Sequence, residues 1–110
     1  MQNFCMKNNR PLFIPLMKEY YQSFERGEKR IEYRIYGKRW NERTVYPNRP
    51  VVLSCGYGKR NRLSAIVDRL EVKDTNELEP EIQSAIHSLY GQGNHPIACI
   101  WVSDIQPLNE

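Results

Sequence analysis

The stretch Gly27-Glu28-Lys29-Arg30-Ile31-Glu32-Tyr33-Arg34 stands where one periodicity gives way to another. Before it, Leu16, Tyr20 and Phe24, with Met17 and Tyr21 beside them, recur at helical spacing. Pro15 suits the first position of such a helix, where its missing N–H costs nothing. Gly27 supplies the left-handed residue that ends it. From Lys29 to Tyr36 the pattern alternates: Ile31, Tyr33 and Ile35 on one side, Arg30, Glu32, Arg34 and Tyr36 on the other. That is the signature of a half-buried strand. The junction therefore predicts a helix that passes directly into a strand, with Glu32 and Arg34 sharing the polar face. Arg donates in a fork and Glu accepts, so such a pair can orient a ligand. Lys29 enters at the first residue of the strand, and alternation does not fix its direction.

Beyond this junction the elements follow in order. Residues 37–48 are polar and basic, a loop anchored by Trp40, Val45 and Tyr46. Val51 to Cys55 is a short apolar strand, and residues 56–61 (GYGKRN) read as a turn. Arg62 to Lys73 is a longer strand. Leu78, Ile82, Ala85, Ile86 and Leu89 form the stripe of a second amphipathic helix, with Pro80 in its first turn and Gly91 at its end. Ile97 to Ile105 is apolar on both faces, which predicts a central strand. Residues 1–12 read as a tail or a short first strand. Two helices and strands of unequal length on one small core predict an α+β or barrel fold, not a doubly wound sheet.

At 110 residues the chain suits a single domain. No apolar run approaches the roughly 20 residues needed to span a bilayer. The polar N-terminus lacks an apolar signal region, so a cytoplasmic protein is expected. Cys5, Cys55 and Cys99 are odd in number and widely spaced, without a CxxC pair. Neither a disulfide framework nor a metal site is expected, and no cofactor is implied. His87 reads as a helix-surface residue and His95 as a loop residue. Charge is segregated along the chain: residues 11–70 hold 13 Lys/Arg against 6 Asp/Glu, residues 71–110 hold 1 against 7. A basic surface built from the first part would attract polyanions.

Helix, then G-x-K-x-x-E-x-R, then strand, resembles the ASCH domain of the PUA-like superfamily. The likeness continues through Val51 to Tyr57, Arg62 to Val72, the helix near residues 78–90 and the strand through Trp101. It covers roughly residues 13–107. It implies a small PUA-like β-barrel flanked by two helices, with a cleft beside the motif. Family members are linked to RNA binding, and some are hydrolases: one group acts on N4-acetylcytidine, and at least one is a ribonuclease. The motif positions correspond here to Lys29, Glu32 and Arg34. In the amidohydrolase group the third residue after the lysine is a threonine that serves the chemistry. Glu32 stands at that position, which weakens deacetylation as the reaction.

Two functions follow as expectations. The first is a module binding single-stranded RNA, a nucleotide, or DNA. Lys29, Glu32 and Arg34 would form its cleft. Lys38, Arg39, Trp40 and Arg43 on one loop, and Tyr57, Lys59, Arg60 and Arg62 on a turn, would supply cations for phosphates and rings for bases. Each has a plainer reading, namely a solvated basic turn with Trp40 packed into the core. The second is a metal-independent hydrolase. Lys29 would be its base, with a pKa lowered by burial. Glu32 would orient water, and Tyr21 or Ser103 would assist. A third, weaker expectation is a protein-interaction surface on the acidic residues Glu77, Glu79 and Glu81. No Ser-His-Asp arrangement, phosphate loop or nucleotide fingerprint is present.

Overall fold

The computed structural model describes residues 10–108. The elements run β1 (Leu12–Leu16), α1 (Lys18–Glu25), β2 (Ile31–Ile35), β3 (Pro50–Cys55), β4 (Arg62–Asp74), α2 (Pro80–Tyr90) and β5 (Pro96–Pro107). They form one sheet in the order β1-β3-β4-β5-β2. β1 runs parallel to β3, and the remaining pairs are antiparallel. β4 carries register shifts at Ser64/Ile66 and Val67/Arg69. Bulges of this kind bend a long strand and raise its twist, which curls the sheet into a half-barrel.

One expectation is corrected at the start of the chain. Pro15 does not open a helix; it lies inside β1, and α1 begins at Lys18. β1 is an edge strand, where a residue without an N–H is tolerated. Leu16 thus belongs to the sheet, and the buried face of α1 is carried by Tyr21 and Phe24. The tail reading for residues 1–9 lies outside the described residues. The other punctuation holds: Gly27 (φ 78°) follows α1, and Gly91 (φ 91°) ends α2. β5 pairs on both sides, with β4 and β2, as its apolar composition predicts.

Two apolar layers lie on the two sides of the sheet. The inner one gathers Ile14, Val51, Leu53, Leu63, Val67, Ile100 and Val102 with Tyr21 and Phe24 from α1. Trp40 and Val45 join it from the loop. The outer one places Ile86 of α2 on Ile97 and Cys99, with Ile31, Tyr33 and Ile35 beside them. The apolar face of β2 therefore looks outward to α2. Its polar face, with Glu32 and Arg34, looks into the mouth of the half-barrel.

The two sheet edges, β1 and β2, are joined by one side chain. The Arg34 guanidinium donates from Nη2 to the Pro15 carbonyl at 2.7 Å and from Nε to Glu32 Oε2 at 2.8 Å. The expected barrel is thus an open half-barrel whose seam a guanidinium spans. The acidic residues Glu77, Glu79 and Glu81 lie around the start of α2. There Glu81 faces the positive end of the helix dipole, a stabilising placement that needs no partner.

Candidate nucleic-acid interface

Lys29 reaches the site through the end of α1. The Ser23 carbonyl accepts from the Glu28 amide at 2.9 Å and from the Lys29 amide at 3.2 Å, which turns the chain from helix into β2. The Lys29 ammonium then lies over three rings: 5.5 Å from the Tyr20 centroid, 5.3 Å from Phe24 and 5.1 Å from Tyr33. Faces of aromatic rings attract cations, and more strongly where water is thin. Glu32 is only 8% exposed. One carboxylate oxygen holds Arg34, and the other lies 3.8 Å from Lys29 Nζ. A buried carboxylate is tolerable here because cations flank it.

These groups open onto a small hollow lined by Tyr20, Lys29, Glu32, Tyr33 and the α2 residues Ile82, Ala85, Ile86, Leu89 and Tyr90. It offers one ammonium donor and one carboxylate acceptor between aromatic and aliphatic walls. That composition matches a flat, partly polar ring better than a highly charged ion. Burial pulls the Lys29 pKa below the ordinary lysine value; Glu32 draws it back, and Arg34 adds to the lowering. Burial likewise raises the Tyr33 phenol.

The lowered Lys29 pKa makes a stability prediction. Below its native pKa the buried ammonium costs folding energy, and the cost fades as pH climbs towards the unfolded value of about 10.4. Wild type should therefore gain stability relative to Lys29→Met as pH rises through that alkaline window. Urea denaturation of both proteins at a series of pH values checks this. A difference that stays flat, or falls, contradicts it.

The remaining predicted site residues are distributed unevenly. Arg34 borders a second, wider groove with Pro15, Leu16, Met17, Lys18, Cys55, Gly56 and Tyr57. Tyr57 is 79% exposed. Lys59 and Arg60 are exposed on the same turn. Arg62 bonds back to the Gly58 carbonyl at 3.0 Å and stacks on Phe13 at 5.4 Å. Lys38, Arg39 and Arg43 are exposed on the 37–48 loop and line neither depression.

Three assignments are corrected. Trp40 is not an open stacking platform: it is 8% exposed. The Arg34 and Arg39 guanidinium carbons lie 4.9 and 5.4 Å from its ring centroid. Tyr21 is buried in the inner core and does not line the hollow. Ser103 borders a different depression, with Arg30 and Asp104. Neither hydroxyl stands beside Lys29. The tyrosines that do line the hollow are Tyr20, Tyr33 and Tyr90. Tyr20 was hidden in a helical stripe and Tyr33 in the apolar face of a strand. Leu89, which periodicity assigns to a buried stripe, is 66% exposed at the hollow's rim. No group of three or more His, Cys, Asp or Glu is placed to hold a metal among the described residues.

With this geometry in view, the solved structures can be compared. An ASCH protein from Zymomonas mobilis superimposes with a TM-score of 0.61 at 16% identity, over 91% of this chain and 71% of that one. The chain has the ASCH fold. A hypothetical protein, PH0355, gives the same TM-score of 0.61 at 19% identity, over 90% of this chain and 100% of its own. No protein-family model and no curated protein matches the sequence. The ASCH fold is thus reached at an identity too low to carry residue roles, and the site here rests on its own geometry. No helix among the described residues is long and apolar enough to cross a membrane.

Proposed function

We propose that this protein is an ASCH-domain nucleic-acid-binding module that takes a nucleobase of unpaired RNA, or of a free nucleotide, into the hollow at Lys29. The observation that carries this reading is the Lys29–Glu32 pair, 3.8 Å apart, withdrawn from water beside Tyr20, Phe24 and Tyr33. A base offers an exocyclic amino group to the Glu32 oxygen that faces Lys29 and a ring nitrogen or carbonyl to the ammonium. Its apolar face is satisfied by the ring and aliphatic walls. Duplexes do not present a base in this way, whereas single-stranded RNA does. Lys59 and Arg60, exposed on the 56–61 turn, supply the cations for phosphates along the same strand in this reading. A cytoplasmic setting belongs to the same proposal, and single-stranded DNA is the competitor to test beside RNA.

Fluorescence anisotropy with a short single-stranded RNA at two salt concentrations tests it. Affinity should fall as salt rises, because bound cations release counterions. Lys59→Ala/Arg60→Ala should weaken binding roughly tenfold at low salt and flatten the salt dependence by about 1.4 units of log–log slope, about 0.7 for each cation on a single strand. If the double variant binds as tightly as wild type, with the same slope, the phosphate path lies elsewhere.

A second reading, hydrolysis, is favoured by one feature. The lowered Lys29 pKa beside Glu32 suits a group that takes up a proton. RNA and N4-acetylcytidine, incubated separately, are the substrates to try. Product formed by wild type and lost in Lys29→Met supports this reading. If neither substrate yields product, the binding module alone remains.

A further inference from the structure

We infer that the groove between the start of α1 and the β3–β4 turn is a second nucleotide subsite, with Tyr57 as the stacking surface for the base next to the one in the Lys29 hollow. This rests on the proposed function and specifies it: the ligand is an unpaired strand of at least two nucleotides.

The first observation is Tyr57 itself. It is 79% exposed, although a tyrosine on a turn can usually fold against its own hairpin. Its only ring contact among the described residues is an oblique one with Phe13, centroids 6.0 Å apart and planes at 36°. Phe13 is in turn backed by the Arg62 guanidinium at 5.4 Å. The phenol is therefore propped from behind and presented outward. An unpaired base stacks on such a ring whatever its identity, because every base has a π-face.

Charge provides the second observation. Lys59 and Arg60 follow Tyr57 on the same turn and are exposed, and Lys18 lines the groove from the start of α1. Among the described residues no carboxylate lines the groove. An apolar peptide would gain nothing from those cations, whereas a phosphodiester chain carries the charge they match.

The third observation joins the two depressions. Arg34 borders the groove, and its bonded partner Glu32 borders the hollow. The acceptors on its two sides, Glu32 Oε2 and the Pro15 carbonyl, belong to the hollow and the groove respectively. The bonded Glu32–Arg34 pair thus borders both depressions, one residue on each. Arg34 has five N–H donors and uses two of them in these bonds. The others are available to the phosphate that links the two nucleotides.

The test compares ribonucleoside 5′-monophosphates with a four-nucleotide RNA of randomised sequence, in the full chain, by calorimetry and anisotropy. The tetranucleotide should bind at least tenfold tighter than the monophosphates. Tyr57→Ala should weaken the tetranucleotide roughly tenfold and leave the monophosphates unchanged, and Tyr57→Phe should restore tight binding. Two results overturn the subsite while sparing the hollow: a tetranucleotide indifferent to Tyr57→Ala, or no gain over monophosphates that do bind. Monophosphates that also lose affinity in Tyr57→Ala overturn the division into two subsites. Failure of both ligands to bind wild type removes the proposed function and this inference together. Tyr57 is exposed and outside the core, so the variant keeps the fold, which unchanged melting verifies.

Discussion

Replacing Arg34 with alanine is expected to lower the unfolding free energy by about 3 kcal/mol and the melting temperature by roughly 15 °C. Three losses combine in that variant. Glu32, 8% exposed, keeps its charge but loses a 2.8 Å hydrogen bond to its nearest cation. Removing one partner of a buried ion pair is costlier than the pair itself is worth, because the orphaned charge remains in low dielectric. The Pro15 carbonyl loses its 2.7 Å donor, so the β1 and β2 edges are no longer tied across the half-barrel mouth. Trp40 loses a guanidinium packed 4.9 Å from its ring centre. Arg34→Lys should recover only part of the loss, since an ammonium lacks the planar fork that reaches both acceptors. Thermal and urea denaturation check this. A loss below about 0.5 kcal/mol in Arg34→Ala would mean that the seam is a solvent-screened surface contact.

Glu32→Gln should cut nucleotide affinity by about 10- to 100-fold, the equivalent of one hydrogen bond to a charged group. It should do so at every salt concentration alike. The amide keeps the size of the carboxylate and can still accept from Arg34 through its oxygen. That leaves the NH₂ pointing at Lys29, and a base amino group then meets a donor where it needs an acceptor. The lost contact is to a base rather than to a phosphate, so the salt slope should stay as in wild type. This separates Glu32 from Lys59 and Arg60, whose removal changes the slope. Isothermal titration with monophosphates, alongside melting, reads the two effects independently. Unaltered affinity in a folded Glu32→Gln protein would take the carboxylate out of the recognition site.

Cys99 illustrates a residue whose chemistry is suppressed by its place. It is buried in the outer layer, and burial pushes its thiol up to about 11. It behaves as the small hydrophobe that its apolar surroundings predict. Cys55, half-buried, sits on the wall of the Tyr57 groove.

Much of the fold is legible along the chain because the information is local. Gly27 and Gly91 end their helices, the 31–35 alternation makes a strand, and the apolar 97–105 run becomes a strand paired on both sides. The G-x-K-x-x-E-x-R junction sets Glu32 and Arg34 on one face by alternation, whereas Lys29 comes within 3.8 Å of Glu32 through the turn that the Ser23 carbonyl holds after α1. Non-local choices were not legible in this way. Pro15 satisfies the rule for a helix start as well as the rule for an edge strand. Only its parallel pairing with Ser54 on β3 decides between them. Alternation shows that β2 has two faces, yet cannot say that the polar one turns inward. That depends on α2 arriving from far along the chain to cover Ile31, Tyr33 and Ile35.

Residue types and their short-range spacing therefore specify α2, the strands after α1 and the Glu32–Arg34 pair, since each depends on neighbours within a few positions. The closure of the half-barrel, the burial of Glu32, the walls of the hollow and the exclusion of Tyr21 and Ser103 from it were settled by tertiary packing. There the competition is between whole surfaces for burial, and a side chain's role follows from which distant segment reaches it first.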